Sequence, residues 1–396
     1  MALLIGIVLA GCAPTPSSPA QNRVAEQAGA QAAPRGTLKI AWPFEPENLH
    51  PKLLFGSGVT DYFWTFDSTL AIRDFSGAPH PVIARELPTQ ANGDWIVNPD
   101  GTMVTTYRLR ENAKWQDGTP LTARDFAFAY EVYLDREVPV QDRSSELLMS
   151  KVEARDDHTL VIYWREPFIG AGTLGFRQLN PMATHIFEDK YRTNRANFAF
   201  GEEWTVSYVG SGPFRLERWV PGSMMLARAN TSWVLGAPKL DTIEFRFVKE
   251  PSALLANLMS GEVDMINSPG IRAAEAAIAR DQWVPSGVGY VRTWETRLSY
   301  VDFQHREVPN WQRVVSDVLV RRALIHAIDR TALAQAETEG LGSPADVFIT
   351  RADPLFSEVD RLAAKYPFDP ARAAALLGEA GWRVAAGGGD GRQRER

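Results

Sequence analysis

"WQDGTPLTARDF", Trp115 to Phe126, is the stretch whose reading decides the fold. Asp117-Gly118 is a turn dipeptide, because glycine tolerates positive φ and aspartate bonds its own backbone. Pro120 fixes its own φ and pushes Thr119 towards an extended conformation. Thr122-Ala-Arg-Asp125 then reads as a helix N-terminus, with the Thr122 hydroxyl as cap and Asp125 placed to favour the first-turn dipole. Behind it, Phe126, Tyr130, Tyr133 and Leu134 recur at i, i+4, i+7 and i+8, so one helix face is apolar.

On either side of this turn, alternation of apolar and polar residues marks strands. "TLKIAW" (37–42), "TMVTTYRLRE" (102–111), "HTLVIYWR" (158–165) and "LDTIEFRFV" (240–248) all carry it. "GPFRLERWV" and "SMMLARAN" predict a hairpin across Pro221-Gly222. Helices are predicted at "PSALLANLMSG" (251–261), with Pro251 in the first turn and Gly261 as the stop, and at "DPARAAALLGEAGW" (369–382), with Asp369 as cap, Pro370 at the first position and Gly381 as the stop. A third, "SDVLVRRALIHAIDR" (316–330), places Val320, Leu324, Ala327 and Ile328 on one face. Strands followed by a mixed strand–helix half indicate an α/β protein with more than one lobe.

At 396 residues the chain is long enough for two or more domains. A formal charge of −6 and the lack of any Lys/Arg-rich run give no support to a nucleic-acid partner. Twelve tryptophans suit core packing first and aromatic ligand walls second. The single cysteine, Cys12, excludes an intramolecular disulfide and any Cys-x-x-Cys chemistry. It closes "LLIGIVLAGC", an apolar run too short to span a bilayer and of the length of a signal-peptide core. Leu9-Ala10-Gly11-Cys12 resembles a bacterial lipobox, which makes residues 1–12 a lipoprotein signal segment and Cys12 the lipidation site, although no basic residue precedes the run. Residues 13–36 are rich in Pro, Ala, Ser and Gln, which predicts a flexible linker with a reach of roughly 25–30 Å.

Catalytic chemistry finds no support. None of the six histidines has a partner at i+2 to i+4, so no metal site is predicted. The serines of "GSGPF" and "GSGV" lack nucleophile-elbow spacing, and "GGGDG" opens no helix and cannot be a phosphate loop. No cofactor is implied.

Four stretches together resemble the family 5 extracellular solute-binding proteins, the peptide- and nickel-type receptors of ABC importers. They are "LRENAKWQDGTPLTARDFAFAYE" (109–131), "VGSGPFRLERWVPG" (209–222), "ANLMSGEVDM" (256–265), and "DVLVRRALIHAIDR" (317–330) followed by "KYPFDPARAAALLGEAGW" (365–382). The resemblance implies a two-lobe periplasmic-binding-protein fold of the peptide-binding type, closing around a cleft by a hinge motion. Lobe I would cover 37–295 with an inserted subdomain at about 75–180, and 296–382 would form a partial lobe II, entered near "TRLSYVDFQ". By the same analogy the cleft would take Trp42, Phe44 and Glu45 after the first strand, Phe176, and Tyr300 and Asp302 at the crossing. Aromatic walls would hold side chains and carboxylates an amine.

The resemblance further implies an extracytoplasmic, lipid-anchored monomer that delivers an oligopeptide or another small solute to ABC permease subunits and performs no chemistry. It places "WQDGTPLTARDF" outside the ligand site, as an architectural marker. The tail 383–396, "RVAAGGGDGRQRER", departs from the family by lacking a strand pattern, so lobe II is expected to be incomplete and the chain prone to aggregate. Two other readings stand beside this one: a lipid-anchored extracytoplasmic hydrolase, and a non-transport sensory module on the same fold.

Overall fold

Two β-sheets share one hydrophobic core in the computed structural model, which describes residues 36–53, 59–74, 76–267, 270–287, 289–293, 298–306, 313–351, 353–384 and 392–394. Cys12 and all but the last residue of the expected linker lie outside the described residues. The chain enters at strand β1 (Thr37–Trp42), passes through the short helix α1 (Val59–Phe66), and makes a small ladder of β2 (Ala71–Arg73) with β3 (Pro79–Pro81). A four-stranded sheet follows, from β4 (Trp95–Val97), β5 (Met103–Arg108), β6 (Met149–Asp156) and β7 (Thr159–Trp164), in the order β4-β5-β7-β6. Helices α2 (Ala123–Leu134) and α3 (Ser144–Leu147) connect its second and third strands, and α4 (Thr184–Thr193) comes after it. This sheet lies within the stretch expected as an insertion, and its core is continuous with that of the first sheet: Met103 and Trp164 belong to the same buried cluster as Trp42 and Phe245.

The first sheet is completed by β8 (Phe214–Val220), β9 (Met224–Ala229), β10 (Thr242–Phe247), helix α5 (Pro251–Met259) and β11 (Met265–Ile266), in the order β11-β1-β10-β9-β8. β1 runs parallel to both β10 and β11, and β8–β9 is the hairpin predicted across Pro221-Gly222. Helix α6 (Ala273–Ile278) then leads towards a helical stretch: α7 (Val318–Ala327), α8 (Arg330–Thr338), α9 (Phe356–Leu362) and α10 (Pro370–Glu379). Asp317, Asp329 and Asp369 cap α7, α8 and α10 by accepting backbone N–H bonds.

Two expectations are corrected in this stretch. On α7 the buried residues are Val320 and Ala323, of which Ala323 packs with Ala373 and Leu376 of α10, whereas Leu324 and Ile328 stay exposed. The apolar stripe was read correctly as a stripe, but only the part that meets α10 is covered. The tail was expected to carry no strand, yet β12 (Trp382–Val384) pairs antiparallel with β13 (Arg392–Arg394).

The Trp115–Phe126 turn is a weld between elements distant in sequence. Gly118 takes φ +94, and Thr119 donates its N–H to the Asp117 carboxylate at 2.9 Å. Asp125 accepts the N–H of Thr122 at 2.8 Å and the indole N–H of buried Trp115 at 3.3 Å. Its other oxygen takes the amide and hydroxyl of Thr184 at the start of α4, at 3.0 and 2.8 Å. Gln116 faces the opposite way. Its side-chain amide donates to the carbonyls of Phe66 (3.0 Å) and Phe214 (2.6 Å), and its carbonyl accepts from Gly210 N–H (3.1 Å). The "GSG" segment is thereby held so close to the end of α1 that a Cβ on Gly210 would lie 2.0 Å from the Phe66 carbonyl oxygen. Glycine is required there for close approach.

Candidate functional site

The segment after β1 and the helix α1 build an aromatic cluster. Tyr62 on α1 packs edge-on against Trp42, with ring centroids 5.8 Å apart, and donates its hydroxyl to the Phe44 carbonyl at 2.6 Å. One and two residues further along α1, Phe63 and Trp64 meet Phe176, with centroid separations of 6.0 and 5.6 Å. A single two-turn helix therefore ties Phe44 on one side to Phe176 on the other.

The six residues expected at the cleft fare differently. Trp42 is only 1% exposed, so its ring is a core residue; its buried Nε1 has no hydrogen-bond partner among the described residues. Phe44 is 40% exposed and offers an open ring. The Glu45 carboxylate is already engaged, accepting the Trp219 indole N–H at 2.7 Å and the Gly222 N–H at 2.8 Å, which clamps the β8–β9 hairpin. The open amine acceptor expected there is replaced by a structural bond across 174 residues. Phe176 is half-buried beside Trp64. Tyr300, 65% exposed, and Asp302 lie on an irregular stretch, and among the described residues no hydrogen bond or ring contact joins them to the other four.

Sequence reasoning missed what holds Phe176 in place. Lys52 and Glu146 form a buried ion pair at 2.7 Å, with side chains 2% and 0% exposed. The Lys52 ammonium also donates to the carbonyls of Arg177 (3.2 Å) and Gln178 (3.4 Å) and lies 4.8 Å from the centre of the Tyr133 ring. Burial pulls its pKa below the usual lysine range, and the Glu146 carboxylate opposes that shift. Asn180 adds a bond from its side-chain amide to the Phe176 carbonyl at 2.6 Å, and Tyr133 donates to the Asn180 carbonyl at 3.1 Å. His50 stands 3.2 Å from the Tyr133 hydroxyl, and burial pushes it down to about 3, so it is neutral. The only sequence signal for this network was the unusual placement of polar residues in "ENLHPKLL" (47–54) between apolar ones.

No group of three or more His, Cys, Asp or Glu side chains suited to a metal ion occurs among the described residues. Nor is any described helix long and apolar enough to cross a membrane.

Residues 87–395 match the family model of bacterial extracellular solute-binding proteins, family 5 Middle. The chain belongs to this family. Among curated relatives, protein XP55 of Streptomyces lividans is 29% identical over 360 residues, covering 91% of this chain and 59% of that protein. A putative ABC transporter peptide-binding protein of Brucella ovis is 29% identical over 291 residues, 72% of this chain and 50% of its own length. The chain thus spans about half the length of the curated relatives it matches. Solved structures share the fold. The substrate-binding protein CtaP of Listeria monocytogenes superimposes with a TM-score of 0.70 at 24% identity, covering 89% of this chain and 66% of that one. The oligopeptide-binding protein AppA of Bacillus subtilis, in complex with a nonapeptide, gives 0.63 at 19% over 91% and 67%. NikA of Brucella suis, with Fe(III)-EDTA, gives 0.67 at 21% over the same shares.

Proposed function

We propose that this chain carries the solute-recognising part of an extracytoplasmic binding protein that serves an ABC importer. The observation that carries this reading is the match of the family model along residues 87–395. The ring contact of Trp64 with Phe176, and the exposed Phe44 ring whose carbonyl Tyr62 holds, support an aromatic binding wall, with Lys52 and Asn180 bonded to the backbone around Phe176. Such a wall suits the side chains of an oligopeptide, and Tyr300 and Asp302 supply an exposed ring and carboxylate at the crossing. The pocket side chains, not the fold, select the solute, so chelates and sugars compete with peptides for the assignment.

Lipid anchoring through Cys12, delivery to permease subunits and action as a monomer belong to the same proposal, supported by the lipobox-like Leu9–Cys12 and by family membership. The division into lobe I (37–295) and a second lobe from 296 is proposed from the resemblance. A thermal-shift panel of mixed oligopeptides, oligosaccharides and nickel chelates tests the class. A rise in melting temperature with peptides alone, with the peptides recovered intact, is expected. Cleaved peptides would favour the hydrolase reading, and no shift with any class would sink the proposal.

A further inference from the structure

The end of α1 is anchored by a carboxylate that the aromatic wall does not use. Asp67 is buried, 8% exposed, directly after α1, and accepts the Tyr208 hydroxyl at 2.8 Å. The Ser211 backbone N–H also bonds to it. Around it, the Ser68 N–H donates to the Ser211 hydroxyl oxygen and the Ser68 hydroxyl to the Ser211 carbonyl, both at 3.1 Å, while Trp233 Nε1 donates to the Ser68 hydroxyl at 2.9 Å. Glycine at 212 lets the backbones touch: a Cβ there would lie 2.4 Å from the Asp67 nitrogen. Among the described residues no cation bonds to Asp67. The titratable groups that face it are Tyr208 from the loop and Tyr133 from α2, both buried and both held neutral far above the ordinary tyrosine range.

We infer that Asp67, Tyr208 and the Gly210–Gly212 segment form an acid-tightened latch that sets how firmly α1, and with it Tyr62 and Trp64, is held. The argument is one of charge in a closed space. When Asp67 carries its proton, the cluster is neutral and every element is packed and bonded. When the proton leaves to solvent, one negative charge remains on a buried group with two hydrogen-bond donors and, among the described residues, no counter-ion bonded to it. Burial accordingly pushes the Asp67 carboxyl up to about 7 from its ordinary 3.8. Opening the latch to water restores the ordinary carboxyl, so opening becomes easier as pH rises towards 7 and no easier beyond it.

Hydrogen exchange of the full chain between pH 5 and 8.5, corrected for the intrinsic pH dependence of exchange, reads this directly. Segments 62–69 and 208–214 are expected to lose protection roughly tenfold per pH unit between about pH 5 and 7, then level off. The segment 149–164 in the second sheet serves as the control, with no such slope expected. Asp67→Asn abolishes the slope. Tyr208→Phe, which removes one donor to the carboxylate, moves the plateau to higher pH while leaving the slope below it. A wild-type profile that is flat, or that matches the control segment, overturns the proposal even where Asp67→Asn fails to fold. An unchanged slope in a folded Asp67→Asn variant overturns it as well.

Discussion

Gln116 shows how much one side chain of the signature turn carries. Its amide satisfies carbonyls at the end of α1 and at the start of β8, and no residue of similar length with one polar end can do both. Gln116→Leu removes its bonds to Phe214 O and Gly210 N–H, while the Phe66 carbonyl keeps the Gly212 N–H at 2.8 Å, and is expected to cost about 1–3 kcal/mol in denaturant unfolding without changing solute affinity. Gly118→Ala places a Cβ at φ +94 and is expected to cost about 1 kcal/mol, again with affinity retained. A variant of either kind that keeps its stability but loses binding would place the turn in the ligand site. Lys52 belongs to the opposite category. Lys52→Met strands the buried Glu146 carboxylate and should cost about 3–5 kcal/mol, whereas the double change Lys52→Met with Glu146→Leu should recover much of that loss. Urea midpoints of the three proteins decide it; equal midpoints for the single and double variants would show that the pair is not the stabilising unit.

Elements were legible where their pattern was local. The period-2 runs of β1, β5, β7 and β10 and the capped start of α10 could be read from the residues alone. The three-residue strands β2, β3 and β4 could not, because so few side chains define no period. Which part of the α7 stripe is covered was not legible, because its covering partner, α10, is set by the chain's path and not by the helix itself. The same limit applies to the site. Phe44 and Phe176 are tied together by α1, and Glu45 is bonded to Trp219, links that sequence spacing does not encode. Titration also acts at this scale. His50 is held neutral with its pKa pushed down to about 3, so its stabilising contribution is complete above 6.5 and is lost as pH falls towards 3. Asp67 behaves in the reverse sense, with its contribution complete below about 4 and gone above about 7. Between about pH 4 and 6.5 the two slopes oppose each other, and the wild-type melting temperature is expected to vary little from these groups. Asp67→Asn should expose the His50 slope as a steady loss of melting temperature on acidification, and an unchanged profile would contradict the pairing.

Across the whole molecule, apolar exposure is uneven. The stretch from Tyr300 to Phe368 leaves Val301, Leu333, Phe348, Leu355 and Leu362 open to solvent, while the small cluster of Ala323, Ala373 and Leu376 is buried where α7 meets α10. Exposed apolar area of this kind favours association. Light scattering should show non-specific aggregate that grows with concentration beside the binding-competent monomer, reduced by Phe348→Ser with Leu362→Ser at no cost in melting temperature; scattering that does not change with concentration would refute this. The first part of the chain, by contrast, holds a continuous core, and on it α1 carries the contacts to Phe176 on which the proposed aromatic wall rests. That wall is the central claim, and isothermal titration with an oligopeptide mixture tests it most directly. The account predicts saturable binding to the wild-type chain and a loss of at least tenfold in affinity for Phe176→Ala, with the fold intact by circular dichroism. Equal affinity in the two proteins would contradict it.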